Sequence, residues 1–318
     1  MTLAVLFLAV GFVAFTNGAN ANFKGVASLY GSGTTTLRAA AYWGTATTFA
    51  GSVAALFLTG GLLAAFSGRG IVPDALVASS AFVTAVAAGA ALTSFLANRF
   101  GFPVSTTHAL VGALAGAGLA GSGEVRFAAL GAAFVYPLVF SPVVAAVAGA
   151  VVFLILKAAR LAPDHRTPLL DGLHFLSTGA ASFARGLNDT PKMAALVLAV
   201  PGLEVHWGFL IVAAAIAAGG LLDIDRVAET LGKKVTGMNP GQGFAASLVT
   251  AGLVTTASLH SLPVSTTHVS VGSLFGMGVA ARQAHWRKAA EILLAWVSTV
   301  PCGAVLAWLA YGLMTVFL

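Results

Sequence analysis

Charge is what this sequence has least of. Asp, Glu, Lys and Arg make up 8% of its 318 residues, against about a quarter in a soluble domain. With 58% hydrophobic residues and a mean hydropathy of +0.93, a soluble globular fold is excluded and an integral membrane protein implied. Cysteine is nearly absent: Cys302 stands alone, which rules out an intramolecular disulfide. Residues 1–11 contain no Lys or Arg, so the start reads as a retained span and not as a cleaved signal peptide. The apolar runs are long and do not alternate in segments of ~10 residues, which favours helices over a barrel. Lys and Arg outnumber Asp and Glu by 16 to 10, but no clustered basic face is visible, so no nucleic-acid partner is expected.

What the sequence does contain is a repeat. Pro103-Val104-Ser105-Thr106-Thr107-His108 recurs as Pro263-Val264-Ser265-Thr266-Thr267-His268, and Gly112, Gly116 and Gly118 are matched by Gly272, Gly276 and Gly278. Each copy reads as a helix start, with proline at the entry, Ser105 or Ser265 as cap, and a small-residue apolar run behind it. A helix start in a hydrophobic protein offers free N–H groups and a positive dipole end. The hydroxyls of Ser105, Thr106, Thr107, Ser265, Thr266 and Thr267 add donors, so these six residues are the best anion ligands in the chain. Capping plus a GxxxG packing face would explain the glycines, but not two threonines and a histidine carried in both copies.

Apolar spans are expected at 2–17 with its continuation to 29, 39–63, 75–96, 102–120 and 127–156, the last kinked by Pro137 and Pro142. The second half retraces them at 173–200, 207–222, 244–260, 264–281 and 292–317. Phe15, Gly18, Asn20, Lys24 and Ala27 match Phe183, Gly186, Asn188, Lys192 and Ala195, and the first helix of each half is expected to break beside its asparagine. Five crossings per half force the halves to be inverted. The basic residues agree: Arg69 and Arg126 stand alone in their loops, whereas the second-half loops carry Arg226, Lys233, Lys234, Arg282, Arg287 and Lys288. With Lys157, Arg160 and Arg166 in the linker, the linker and second-half loops are expected to be cytoplasmic, the termini and the Arg69 and Arg126 loops outside. The expected fold is thus an all-α membrane protein of two inverted-topology repeats, 1–156 and 172–318, joined by a cytoplasmic linker at 157–171. Each repeat has about five helices, a broken first helix and a Ser/Thr-rich fourth helix that is a candidate for re-entry. Inverted repeats with broken helices are the architecture of secondary transporters.

The doubled hexapeptide, with Gly18-Ala19-Asn20 and Asn188-Asp189 on the first helices, resembles the inorganic phosphate transporter (PiT) family from Gly18 to Pro301. The resemblance implies an inverted-repeat permease, usually dimeric, that moves phosphate across a membrane together with sodium or protons. The expected location is the cell membrane, as a multi-pass protein of a bacterial inner membrane. Two departures stand out. Ala21 replaces the family's aspartate in the first motif, and Lys24 and Lys192 stand where the family pattern has asparagine.

Asp189 is an ionisable group between apolar runs, a functional candidate by default, although Lys192 at i+3 also fits a structural ion pair. Asp189, Lys24 and Lys192 form the expected ion-coupling set, and Asn20 and Asn188 orient the anion or a cation. A fixed ammonium would attract the anion as a bound sodium ion would and repel sodium from the same place. His108 and His268 are read as residues that orient the motif; with no Cys or further His in either motif, neither metal nor cofactor is expected. Arg185 ranks low because its counterpart is Asn17, and His165, His174, His206, His260 and His285 are read as interfacial. The leading function is secondary transport of phosphate, with a sulfate or other tetrahedral-oxyanion permease as runner-up. An intramembrane hydrolase using serine, histidine and Asp189 wastes the duplication, and a passive anion channel gains slightly from Ala21.

Overall fold

A computed structural model describes residues 2–198, 202–223 and 225–317. The first half contains α1 (Thr2–Ala21), a 3₁₀ turn (Asn22–Gly25), α2 (Ala27–Gly31), α3 (Leu37–Leu58), α4 (Gly60–Ala65), α5 (Asp74–Val77), α6 (Ser80–Phe100), α7 (Thr106–Ser122), α8 (Phe127–Leu130) and α9 (Tyr136–Ala158). The second contains α10 (Pro168–Val197), α11 (Val205–Leu222), α12 (Asp225–Glu229), α13 (Pro240–Leu259), α14 (Thr266–Ala280) and α15 (Trp286–Phe317). Among the described residues no strand is present. Among the described residues six helices are long and apolar enough to cross a membrane by themselves. The other four long helices are α3 and α10, which carry many polar residues, and the shorter α7 and α14, which begin inside the protein.

The inversion is visible in which core each segment joins. One apolar cluster gathers Leu6 and Val10 of α1, Phe66 and Ile71 of the α4–α5 region, the start of α6 at Phe82, and the start of α11 at Phe209. The other gathers Leu29 at the end of α2, Ala40 at the start of α3, Val227 and Leu231 of the α12 region, Ala245 of α13, and Trp296 of α15. Equivalent segments of the two halves therefore sit at opposite faces: α3 starts where α11 ends. Arg69 and Arg126 belong to the first face, where the Arg126 amide donates to the Ile71 carbonyl at 2.8 Å. Lys233 lies over the Tyr30 ring beside the second cluster, and the linker residue Arg166 reaches the Gly33 carbonyl there. The expected charge asymmetry thus separates the two faces.

The halves interlock. The first half's α3 packs on α10 and the second half's α11 on α1, while α9 packs on α14 and α15 on α7. These contacts run through small residues, because in lipid it is close backbone approach and not apolar burial that holds helices together. A Cβ at Gly116 would lie 1.9 Å from the Ala304 carbonyl oxygen, and one at Gly276 would lie 1.9 Å from that of Ala146.

Local structure departs from expectation in three places. The first-half helix does break, as the 3₁₀ turn Asn22–Gly25, but α10 runs through Gly186–Pro191 as α-helix. Residue choice accounts for the difference: the first half has glycine at Gly25, a poor helix former, where the second has Met193. Pro191, already helical in φ, gives up a single N–H. The expected end of that span at residue 200 lies outside the described residues. Ahead of α9, residues Gly131–Val135 form a π turn just before Pro137. His174, read as interfacial, is instead fully buried, with Nε2 2.8 Å from Ser28 Oγ and Nδ1 3.3 Å from Thr34 Oγ1.

Candidate functional site

Both hexapeptides start helices at the centre of the molecule. Ser105 caps α7 by accepting from the His108 amide, and Ser265 caps α14 by accepting from the His268 amide, each at 3.2 Å. The extended segments before them are buried and face one another: Thr267 Oγ1 donates to the Val104 carbonyl at 2.8 Å, and Thr107 Oγ1 to the Val264 carbonyl at 3.5 Å. Asn20 and Asn188 are fully buried beside them. Asn20 donates to Asn98 Oδ1 at 2.5 Å and to the Phe102 carbonyl at 2.9 Å, and accepts from the Val104 amide. Asn188 donates to Ser258 Oγ at 3.0 Å.

The lysines do not snorkel to the headgroups. Lys24 is 4% and Lys192 1% exposed. Lys24 Nζ donates to Asn20 Oδ1 at 2.9 Å, the Val104 carbonyl at 2.8 Å and Thr267 Oγ1 at 2.6 Å. Lys192 Nζ repeats the pattern with Asn188 Oδ1, the Val264 carbonyl at 2.9 Å and Thr107 Oγ1 at 2.9 Å. It adds an ion pair with Asp189 Oδ1 at 3.0 Å and stands 5.7 Å from the centre of the Phe66 ring.

Asp189 is the meeting point of the two halves. Its Oδ2 accepts from Thr266 Oγ1 at 3.2 Å and Asn17 Nδ2 at 3.4 Å, with Arg185 Nε 3.5 Å away. Asn17 Nδ2 also donates to Thr106 Oγ1 at 2.9 Å. The carboxylate thus sits among a hydroxyl, an amide and a guanidinium, the donors an oxyanion asks for. Arg185, ranked low from its unmatched counterpart, belongs to the centre: it donates to Asn22 Oδ1 and Asn17 Oδ1, each at 2.5 Å. The available signal was its position one turn before Asp189. Asn98 and Trp296 were likewise not singled out, since nothing in their local sequence distinguishes them from ordinary span residues. Asn17 opens the Asn/Gly-rich break of the first span, but was not assigned to the site.

The histidines sit behind the hexapeptides. His268 Nδ1 is 2.9 Å from the Leu138 carbonyl, and its ring stacks on Trp296 at 4.0 Å. Trp296 Nε1 donates to the Pro103 carbonyl at 2.9 Å, and the His108 ring stands edge-on to His268 at 4.6 Å. This arrangement holds the two hexapeptides against α9 and α15. No hydrolytic triad is assembled among the described residues, since both capping serines accept backbone N–H groups and Asp189 is held by cations. No group of three or more His, Cys, Asp or Glu that could hold a metal occurs among them.

Access to the centre differs between the faces. A cleft of about 870 Å³ opens on the first face, lined by Arg69, Asp74, Phe82, Leu114 and, one turn beyond Lys192, Ala195 and Leu196. Toward the second face Lys24 lines a small void with Ser28, Ser247, Thr250 and Ser270.

A family model described as "Phosphate transporter family" matches residues 17–170 and again 162–307, one match per repeat. The chain is 33% identical over 260 residues to a probable low-affinity inorganic phosphate transporter of Rhizobium meliloti (strain 1021), covering 77% of each protein. It is 29% identical over 261 residues to a protein of the same description from Bacillus subtilis (strain 168), covering 76% of this chain and 77% of that one. Among solved structures, one titled "The sodium-dependent phosphate transporter" superposes with a TM-score of 0.84 over all of both chains at 24% identity, a likeness of fold. The doubled hexapeptide, the inverted repeat built around it and the two family matches agree: this chain is a multi-pass membrane protein that belongs to the phosphate transporter family.

Proposed function

We propose that this protein is a secondary transporter of inorganic phosphate, working by alternating access in a lipid bilayer. The observation that carries this reading is the convergence of two equivalent helix starts, each with its threonines and a lysine from a first helix, on one buried centre. Helix N-termini, hydroxyls and cations together are the chemistry of oxyanion binding. The large cleft on the first face and the small void beside Lys24 toward the second fit a carrier more open to one side, which favours a carrier over a channel.

Asp189 favours phosphate over the runner-up, sulfate: hydrogen phosphate has a proton to donate to a carboxylate, and sulfate at neutral pH has none. The family resemblance further supports a homodimer, which light scattering of the detergent-solubilised protein tests. The function itself is tested by reconstituting the full chain in liposomes and following radiolabelled phosphate against excess sulfate. Uptake that phosphate abolishes and sulfate spares is expected; equal inhibition by both anions would return the assignment to a general oxyanion permease.

A further inference from the structure

The two buried lysines carry an inference that rests on the phosphate reading and goes beyond it. Each ammonium is enclosed by three oxygens of one kind: an asparagine side-chain oxygen four residues earlier, the carbonyl before its own half's Ser105 or Ser265, and a threonine hydroxyl from the other half. An amide oxygen, a main-chain carbonyl and a hydroxyl are also the hard, neutral ligands that a small cation takes when it sheds water. The chain has filled both cages with its own nitrogen.

The network also favours the charged form of Lys24. Asn20 gives its Nδ2 hydrogens to Asn98 and Phe102 and accepts from the Val104 amide, so its Oδ1 must face Lys24. Thr267 gives its hydroxyl hydrogen to the Val104 carbonyl, so its oxygen also faces Lys24 as an acceptor. Three acceptors around one nitrogen suit the three N–H groups of an ammonium. Lys192 meets the same demand, since Asn188 donates to Ser258 and turns its oxygen inward, and Asp189 adds a carboxylate. Both cages therefore suit an ammonium ion.

Charge at the centre then adds up simply. Lys24, Arg185 and Lys192 stand against Asp189, the one buried acidic residue among those described, leaving a net charge of +2. Buried charge of one sign demands a counter-ion. Hydrogen phosphate, as the dianion, balances that charge without any further ion. A sodium ion at either cage would have to displace an ammonium and would meet the positive charge of its neighbours.

We propose that Lys24 and Lys192 are resident counter-cations for the transported dianion, and that this protein moves phosphate without sodium. The test is phosphate uptake by the reconstituted full chain, with sodium or choline as the only external cation. Initial rates equal within about twofold are expected, far below the 5- to 150-fold span of ordinary coupling between ligands. Uptake that collapses in choline overturns the proposal, and no uptake in either medium overturns the phosphate reading beneath it. Restoring the family residue gives a gain of response: Lys24→Asn and Lys192→Asn vacate one cage each, and sodium should then stimulate uptake by about fivefold or more. Variants that transport but ignore sodium show that the cages are not cation sites and overturn the proposal. Thermal unfolding of the wild-type protein in detergent, in sodium against choline, reads the same point without a variant. Equal midpoints are expected, and a sodium-specific rise overturns it.

Discussion

Lys24 Nζ lies 2.6 Å from Thr267 Oγ1, a residue of the opposite half, and Lys192 Nζ lies 2.9 Å from Thr107 Oγ1 in the mirror-related contact. Each half thus sends an ammonium across the internal two-fold to the other half's hexapeptide. Thr107→Val and Thr267→Val keep the shape and delete the acceptor. In Thr267→Val one N–H of the Lys24 ammonium is left unpaired, whereas in Thr107→Val Lys192 keeps Asn188, Val264 and Asp189 as partners. A hydrogen bond to a charged group is worth about 1.5–3 kcal/mol, so uptake should fall by about tenfold or more in Thr267→Val and by less in Thr107→Val. Uptake per unit of protein in reconstituted vesicles is the readout. Wild-type rates in both variants would mean that the crossed contacts do not matter to transport.

Selectivity should follow Asp189. Its Oδ2 is held by Thr266 and Asn17, so a bound anion that offers a hydrogen bond to this carboxylate is favoured over one that cannot. In Asp189→Asn the amide keeps the shape and loses both the charge and one acceptor. Removing one partner of a buried ion pair costs about 3–5 kcal/mol, so reduced abundance is expected as well. Among the protein that remains, sulfate should compete with phosphate at least about tenfold better than in wild type, the size of effect a lost polar contact gives. An unchanged sulfate inhibition constant would exclude Asp189 from discrimination.

Much of this was legible in the residues themselves. The doubled hexapeptide announced the repeat, the odd number of helices and the uneven basic loops announced the inversion, and Ser105 and Ser265 read correctly as caps. These features are local or periodic. What stayed hidden was set by tertiary contact. Arg185 belongs to the centre because Asn17 and Asn22 of the other half face it, and His174 is buried because Ser28 and Thr34 meet it across the bundle. For Arg185 the nearby sequence offers only its place one turn before Asp189, and for His174 it offers nothing. Lys24 and Lys192 fall between: their matching positions were visible, but their oxygen cages come from chain segments 80 and 243 residues away for Lys24 and 72 and 85 for Lys192.

The inversion makes a topological prediction. Arg69 is at the face of the first apolar cluster and Lys233 at that of the second, so single cysteines at the two positions should label from opposite sides of the membrane. In a background with Cys302 replaced by alanine, a membrane-impermeant maleimide added to intact cells should reach Arg69→Cys and not Lys233→Cys. Labelling of both from one side would contradict the inverted repeat.

Packing of the interlocked halves rests on close backbone contacts that a single methyl group should disturb. Gly116→Ala would press on the Ala304 carbonyl of α15, and Gly276→Ala on the Ala146 carbonyl of α9. Each should destabilise the protein by about 1–3 kcal/mol, the usual cost of overpacking. Gly252→Ala, which has nothing within 4 Å, is the control and should be neutral or mildly stabilising, because alanine suits a helix better than glycine. Thermal unfolding in detergent distinguishes them. Equal midpoints for Gly116→Ala and Gly252→Ala would show that α7 and α15 can separate without cost.

The charge at the centre bears finally on the carrier's return step. With Lys24 and Lys192 both ammonium ions and Arg185 offset by Asp189, a carrier returning without cargo must pass its occluded state with two positive charges unbalanced. An effective penalty of several kcal/mol attaches to each buried charge that lacks a partner, whereas the carrier loaded with hydrogen phosphate is balanced. The loaded protein should therefore reorient faster than the unloaded one, and exchange of phosphate for phosphate should outrun net uptake. Vesicles filled with unlabelled phosphate should take up radiolabelled phosphate about tenfold faster, or more, than vesicles without it, since each 1.36 kcal/mol in a barrier is a factor of ten in rate. In Lys24→Asn one charge is gone, so the unloaded carrier returns more easily and the advantage of preloading should shrink. Equal rates into filled and unfilled vesicles, for wild type and variant alike, would mean that the two charges are compensated during the return and that the lysines do not hold their protons through the cycle.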